Sequence, residues 1–106
     1  MNNSGIQPVG VSILILPDAI EQATKSGIVL ATATQLEREQ LRQTDGIVIE
    51  IGPHAYYDEK PRCEVGQRII MAAYSGMIRE GSDDKTYRLI KDNDVIAIIT
   101  KEKENV

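Results

Sequence analysis

The chain contains no tryptophan and no phenylalanine, a single cysteine and a single histidine. Each shortage closes a route. Without Phe or Trp the core has to be assembled from Ile, Val, Leu, Met and Ala, with four tyrosines as the only aromatics. Ile and Val favour strands. One cysteine, Cys63, excludes an internal disulfide and a multi-cysteine zinc site, and a lone thiol suits a reducing compartment. No apolar run approaches the ~20 residues of a membrane span. Positive charge is in deficit: the net charge is −4 and the pI about 4.9. That balance argues against nucleic acid, which needs a basic face, and against anionic lipid. The opening MNNSGIQPVG lacks a basic start followed by an apolar stretch, so no secretory signal is expected and the localisation expected is cytoplasmic. At 106 residues the chain suits one domain, 1–106, small enough to need support, and oligomerisation is the support left to it.

What is present is a series of short β-branched runs cut by breakers. VSILIL, at 11–16, is stopped by Pro17 and Asp18 and reads as a strand. GIVIEI, at 46–51, is a second, with Ile47, Ile49 and Ile51 expected on one face and Val48 and Glu50 on the other. Gly52-Pro53 breaks it, HAYYDEKPRCE reads as loop or a short hairpin, and Val65-Gly66 turns into QRIIMAAY as a third. Residues 77–79 and 86–90 flank EGSDDK as a hairpin, with Gly81 expected to supply positive φ. DVIAIIT is the last strand and KEKENV a charged tail at 101–106. The pattern predicts an all-β fold, a small barrel or sandwich. Both the first and last strands are apolar on both faces. Such strands need cover on both sides, and at a sheet edge they are templates for a second chain. The cover expected is a neighbouring copy.

Residues 19–33 show no period and read as loop. Thr34 with Glu37 fits a capping box ahead of good helix formers at 37–42, so 35–43 can be a short helix or a polar loop.

Catalytic signals are weak. His54 stands beside a proline in a polar loop. Cys63 lies between Arg62, which lowers a thiol pKa, and Glu64, which opposes it. The pairs Asp58-Glu59 and Asp83-Asp84 fall in turns, without a calcium-loop pattern. No phosphate-loop, dinucleotide, zinc-protease or serine-nucleophile motif occurs. No enzyme activity, cofactor or metal is expected. Tyr56-Tyr57 is the one aromatic pair, placed before Asp58-Glu59, an acidic context that disfavours bases, and a plain packing role is expected for at least one of the two.

Taken in order, Ile6-Gln7-Pro8, VSILILP, TKSGIVL, GIVIEIG, VGQRIIM, YSG and YRLIKDNDVIAII resemble the co-chaperonins of the GroES type over about residues 6–99. The resemblance implies a small GroES-like β-barrel with two excursions. One is a mobile loop, about 19–45, whose Gly27, Ile28, Val29 and Leu30 dock into a GroEL-type chaperonin. The other is a roof excursion, about 53–64. It implies homo-heptameric rings, with first and last strands meeting between neighbours, so that Val11, Ile13, Ile15, Val95, Ile96 and Ile98 fall at the subunit interface. Tyr56, Tyr57 and Tyr74 would face the roof or cavity. The implied function is to cap the chaperonin and enclose an unfolded client during folding, with ATP used by the partner alone. The roof is shorter than in the bacterial type and the segment after Leu30 longer, a combination similar to phage-encoded members, for which the location is the host cytoplasm.

Two other classes share these features. A barrel of the OB or SH3 kind would use Tyr56 and Tyr57 on a peptide or single strand. A fragment of a zinc-dependent dehydrogenase would need metal ligands and a nucleotide domain that one Cys and one His do not provide.

Overall fold

Breakers and β-branched runs set the strands where the sequence puts them. The computed structural model describes residues 2–18, 38 and 40–101. The expectations placed on 19–37, including Gly27, Ile28, Val29, Leu30 and the Thr34–Glu37 box, lie outside these residues, as does the tail beyond Lys101. The strands are β1 (Ser12–Pro17), β2 (Asp45–Ile51), β3 (Arg68–Met71), β4 (Met77–Glu80), β5 (Thr86–Lys91) and β6 (Val95–Ile98). They form one antiparallel sheet in the order β4-β5-β1-β2-β3-β6. Ile90 of β5 and Val95 of β6 are far apart in that order yet share one core cluster with Ile13, Ile15, Val48, Ile69 and Met71. The sheet must therefore curl around its own apolar face, which makes the fold a small all-β barrel. A short 3-10 turn, Asp92–Asp94, joins β5 to β6.

The faces of β2 differ from the alternation expected of it. Ile13 pairs with Ile51 and Leu14 with Glu50, but Ile15 pairs with Val48. A bulge at this shift carries one extra residue and re-aims the strand. Val48 becomes fully buried, while Ile47 and Ile49 are only half-buried.

β1 is not an edge: it lies between β5 and β2. Ile13 and Ile15 face the core, and Leu14, on the opposite face, is also without exposure. The chain's own N-terminal segment runs on that outer side. Asn2 reaches Glu50, the cross-strand partner of Leu14, at 3.4 Å, and the Ser4 carbonyl accepts from the Ser82 amide at 2.7 Å. Cover for this strand thus comes from within the chain, not from a second copy.

The β4–β5 hairpin turns on Asp84, at φ 65°, not on Gly81. Gly81 is required for space instead, since a Cβ there would stand 2.8 Å from the Tyr87 ring and 2.9 Å from the Ser4 carbonyl. Residues 52–67 form turns rather than a paired hairpin.

Candidate docking site

Where the chain leaves β1 and re-enters at β2, its two limbs are tied together. Pro17 ends β1, and the Asp18 amide donates to the Asp45 carbonyl at 2.9 Å. The Gln43 side chain closes the same neck. Its Nε2 donates to the Asp18 carbonyl at 3.3 Å, and its Oε1 accepts from the amides of Thr44 and Asp45 at 3.1 and 3.2 Å. Arg68, reaching from β3, binds both carboxylate oxygens of Asp18 at 2.7 and 2.8 Å and lies 3.7 Å from Asp45. A planar guanidinium across two carboxylates is a geometry lysine cannot reproduce.

The return limb is fixed further along. Residues 38 and 40–42 are helical, and the last turn closes with the Gln43 amide on the Gln40 carbonyl at 3.2 Å. The Thr44 carbonyl accepts from Met71 and the Leu41 carbonyl from Tyr74, both at 2.7 Å. Residues 40–45, expected within a mobile loop, are thus bonded to β3 and to the turn that follows it.

The residues expected at a subunit interface divide. Ile13, Ile15 and Val95 are buried in the chain's own core. A side chain already removed from water gains nothing from a neighbour, so these three are core residues here. Ile98 is partly buried against the same core, and the Val11 carbonyl accepts from the Asp92 amide at 2.9 Å. Ile96 is 66% exposed, on a strand that among the described residues pairs with β3 alone.

The tyrosines divide as well. Tyr56 is a core residue: its hydroxyl donates to the Asp92 carbonyl at 2.8 Å, its amide to the Asp92 carboxylate at 3.0 Å, and Cys63 packs 3.8 Å from its oxygen. A packing role for one of the pair was expected, but the alternation of apolar and polar residues that guides strand reading does not operate in a turn, so which of the two packs inward was not legible. Burial raises the pKa of the Tyr56 hydroxyl, reinforced by Cys63 and Asp92. Burial also raises that of the Cys63 thiol, the reverse of what a nucleophile needs. Tyr57 is 76% exposed and Tyr74 56% exposed. His54 is exposed, with its amide on the Gly10 carbonyl at 2.9 Å. Among the described residues no group of three His, Cys, Asp or Glu is placed to hold a metal.

Sequence reasoning missed the two arginines. Arg68 was hidden because its partners are distant in sequence. Arg88 carried a signal: it is the one charge inside the apolar-patterned TYRLI of β5.

Comparison with known proteins agrees with this architecture. The family model of the chaperonin 10 kDa subunit matches residues 5–99. A protein named co-chaperonin GroES from Caldicellulosiruptor saccharolyticus is 38% identical over 97 residues, covering 89% of this chain and 96% of that one. Those of Staphylococcus haemolyticus and Treponema denticola are 35% and 29% identical, covering 89% of this chain and 97% of each. With a curled antiparallel sheet, a tied neck between β1 and β2 and a family match across nearly its whole length, the chain belongs to the chaperonin 10 kDa subunit family.

Proposed function

We propose that the chain is a co-chaperonin, a non-enzymatic protein that assembles into a ring and caps a GroEL-type chaperonin. The observation that carries this reading is the family match across residues 5–99. Within it, Ile28, Val29 and Leu30 are the docking anchor, supplied by the segment whose two ends meet at the Asp18–Asp45 neck. Burying three aliphatic side chains yields ~1.5–3 kcal/mol each. Fixing the backbone costs ~1–2 kcal/mol per residue, so holding about five or six residues in place on docking nearly cancels that gain. One anchor therefore binds weakly. Several anchors on one ring bind firmly, because each later contact is intramolecular. A small change at each site on the partner, driven by its own ATP turnover, is multiplied by the number of anchors and releases the cap. The client is enclosed and not held tightly.

Ring assembly draws on the open side of β6. Its side away from β3, which no strand among the described residues pairs, and exposed Ile96 offer a template for the neighbouring subunit. The opposite edge, β4, carries exposed Arg79 and Glu80, which discourage pairing.

The test is native mass measurement of the protein alone and then with GroEL and ATP, for the wild type and for Ile28, Val29 and Leu30 all changed to Ser. The triple variant is expected to keep the ring and lose the complex. Undiminished binding would remove these residues from the mechanism.

A further inference from the structure

Arg88 stands opposite Ile15 of β1 and Ile78 of β4. It therefore shares the inward face with Ile90 and Ile13, and it has no solvent exposure. A cation is a costly choice there unless its donors are all engaged. Its Nε donates to the Ser75 carbonyl at 2.9 Å. One terminal nitrogen donates to the Gln43 carbonyl, and to the Gln40 carbonyl at 3.4 Å. The other donates to the Ala72 carbonyl at 3.0 Å and to Ser75 Oγ at 3.2 Å. Every partner is a carbonyl or hydroxyl, and they come from two places only: the return limb at 40–43 and the turn at 72–75. Burial pulls the guanidinium pKa below its usual value, with Asp94 opposing the shift, and arginine stays charged.

A residue whose task was to fill the barrel would be apolar, as Ile13, Ile15 and Ile90 are on the same face. The fork geometry of arginine fits a different task, joining two backbone segments that have no strand pairing between them. The direct backbone link between the same two segments, from the Tyr74 amide to the Leu41 carbonyl at 2.7 Å, sits beside it.

We propose that Arg88 is a positioning residue for chaperonin docking: it locks the limb that returns from the anchor segment onto the 72–75 turn, fixing the root of that segment in the free protein. This inference rests on the docking function proposed above. The physical effect is preorganisation, since limb residues already ordered need not be ordered when the partner binds. Each residue released would lower the affinity of one anchor about tenfold.

The experiment compares wild type, Arg88→Met and Arg88→Lys by amide exchange and by affinity for GroEL with nucleotide. Methionine keeps an unbranched stem without donors, and lysine keeps the charge without the fork. Two amides serve as reporters: Tyr74, at the lock, and Val48, bonded to the Gln67 carbonyl in the barrel at 2.9 Å. In R88M, Tyr74 is expected to lose protection while Val48 keeps it, with affinity down at least about tenfold. R88K is expected to fall between R88M and wild type. Unchanged affinity with Tyr74 deprotected would overturn the proposal, as would loss of protection at both amides in step with affinity, which is general destabilisation. If R88M does not fold, R88K decides alone: weakened docking with Val48 protected supports the lock, and wild-type docking refutes it. A wild-type protein that never binds the chaperonin would sink the docking function and this role with it; Tyr74 protection would still report whether Arg88 holds the return limb onto the 72–75 turn.

Discussion

Arg68 and Asp18, separated by fifty positions, form a two-pronged ion pair at 2.7 and 2.8 Å across the neck between β1 and β2. Both side chains are about a third exposed, so solvent screens the pair and its worth is ~1 kcal/mol or less. Asp18→Ala and Arg68→Ala are each expected to lower stability by about that amount. Exchange of the two charges, Asp18→Arg with Arg68→Asp, is expected to recover part of it. Urea unfolding of the single and double variants measures the coupling, and strict additivity would show that the pair contributes nothing.

Tyr74 holds a φ of 62° while its side chain faces solvent. A non-glycine residue in the left-handed region costs ~1–2 kcal/mol. Glycine adopts it freely but loses more entropy on folding. Tyr74→Gly is expected to raise stability by ~1 kcal/mol, read as a higher thermal midpoint. A lower midpoint would mean that the ring packs in a way its exposure does not reveal.

Tyr56→Phe tests the buried turn. The variant keeps the ring and removes the donor to the Asp92 carbonyl, leaving that acceptor without its tyrosine partner. The expected loss is ~1–2 kcal/mol by chemical unfolding. In the native protein the Cys63 thiol should resist alkylation until the chain unfolds, because burial denies both access and the thiolate.

The Asp83–Tyr87 hydrogen bond, at 2.5 Å, gives a stability contribution with two pH limits. Tyr87 holds Asp83 below the usual carboxylate range, a shift the Lys85 amide assists. A depressed acid contributes stability above its unfolded pKa and loses it as pH falls through the folded value. The Tyr87 hydroxyl is pushed up to about 12 by burial, then by its bond to Asp83. Its contribution is complete below the unfolded value near ~10 and is lost as pH rises through about 12. Tyr87→Phe should flatten the stability profile at both limits. An unchanged acid limb would show that Asp83 does not depend on Tyr87.

Gly76 sits at φ 69°, and a Cβ added there would lie 1.9 Å from the Leu89 carbonyl. Gly76→Ala is expected to cost about 3 kcal/mol or more, because the obstacle is backbone of the paired strand and cannot swing away. Circular dichroism on heating would detect it, and a near-native midpoint would mean that β4 and β5 separate more easily than their register implies.

Local pattern carried the strands well. The breakers Pro17, Gly52 and Pro53 stand where the structure ends or interrupts β1 and β2, and VIAI of β6 follows the expected Lys91-Asp92-Asn93 turn. Faces were less legible. In β2 a bulge opposite Leu14 and Ile15 moved Val48 inward, and a bulge depends on a partner strand that no local window contains. Which tyrosine of the 56–57 pair packs inward was equally hidden, since the partner of Tyr56, Asp92, lies thirty-six positions away.

By itself the sequence determined that the chain is β-rich, that its core is aliphatic, and which family it resembles, because composition, period-2 patterning and ordered motifs are properties of neighbours along the chain. Only the tertiary structure decided that β1 is central and covered by the chain's N-terminal segment, that β6 is an apolar edge of the described sheet, and that Arg68 ties the neck while Arg88 holds the return limb. Those outcomes turn on groups brought together from distant positions: a guanidinium and four carbonyls acquire their geometry only once the sheet has curled.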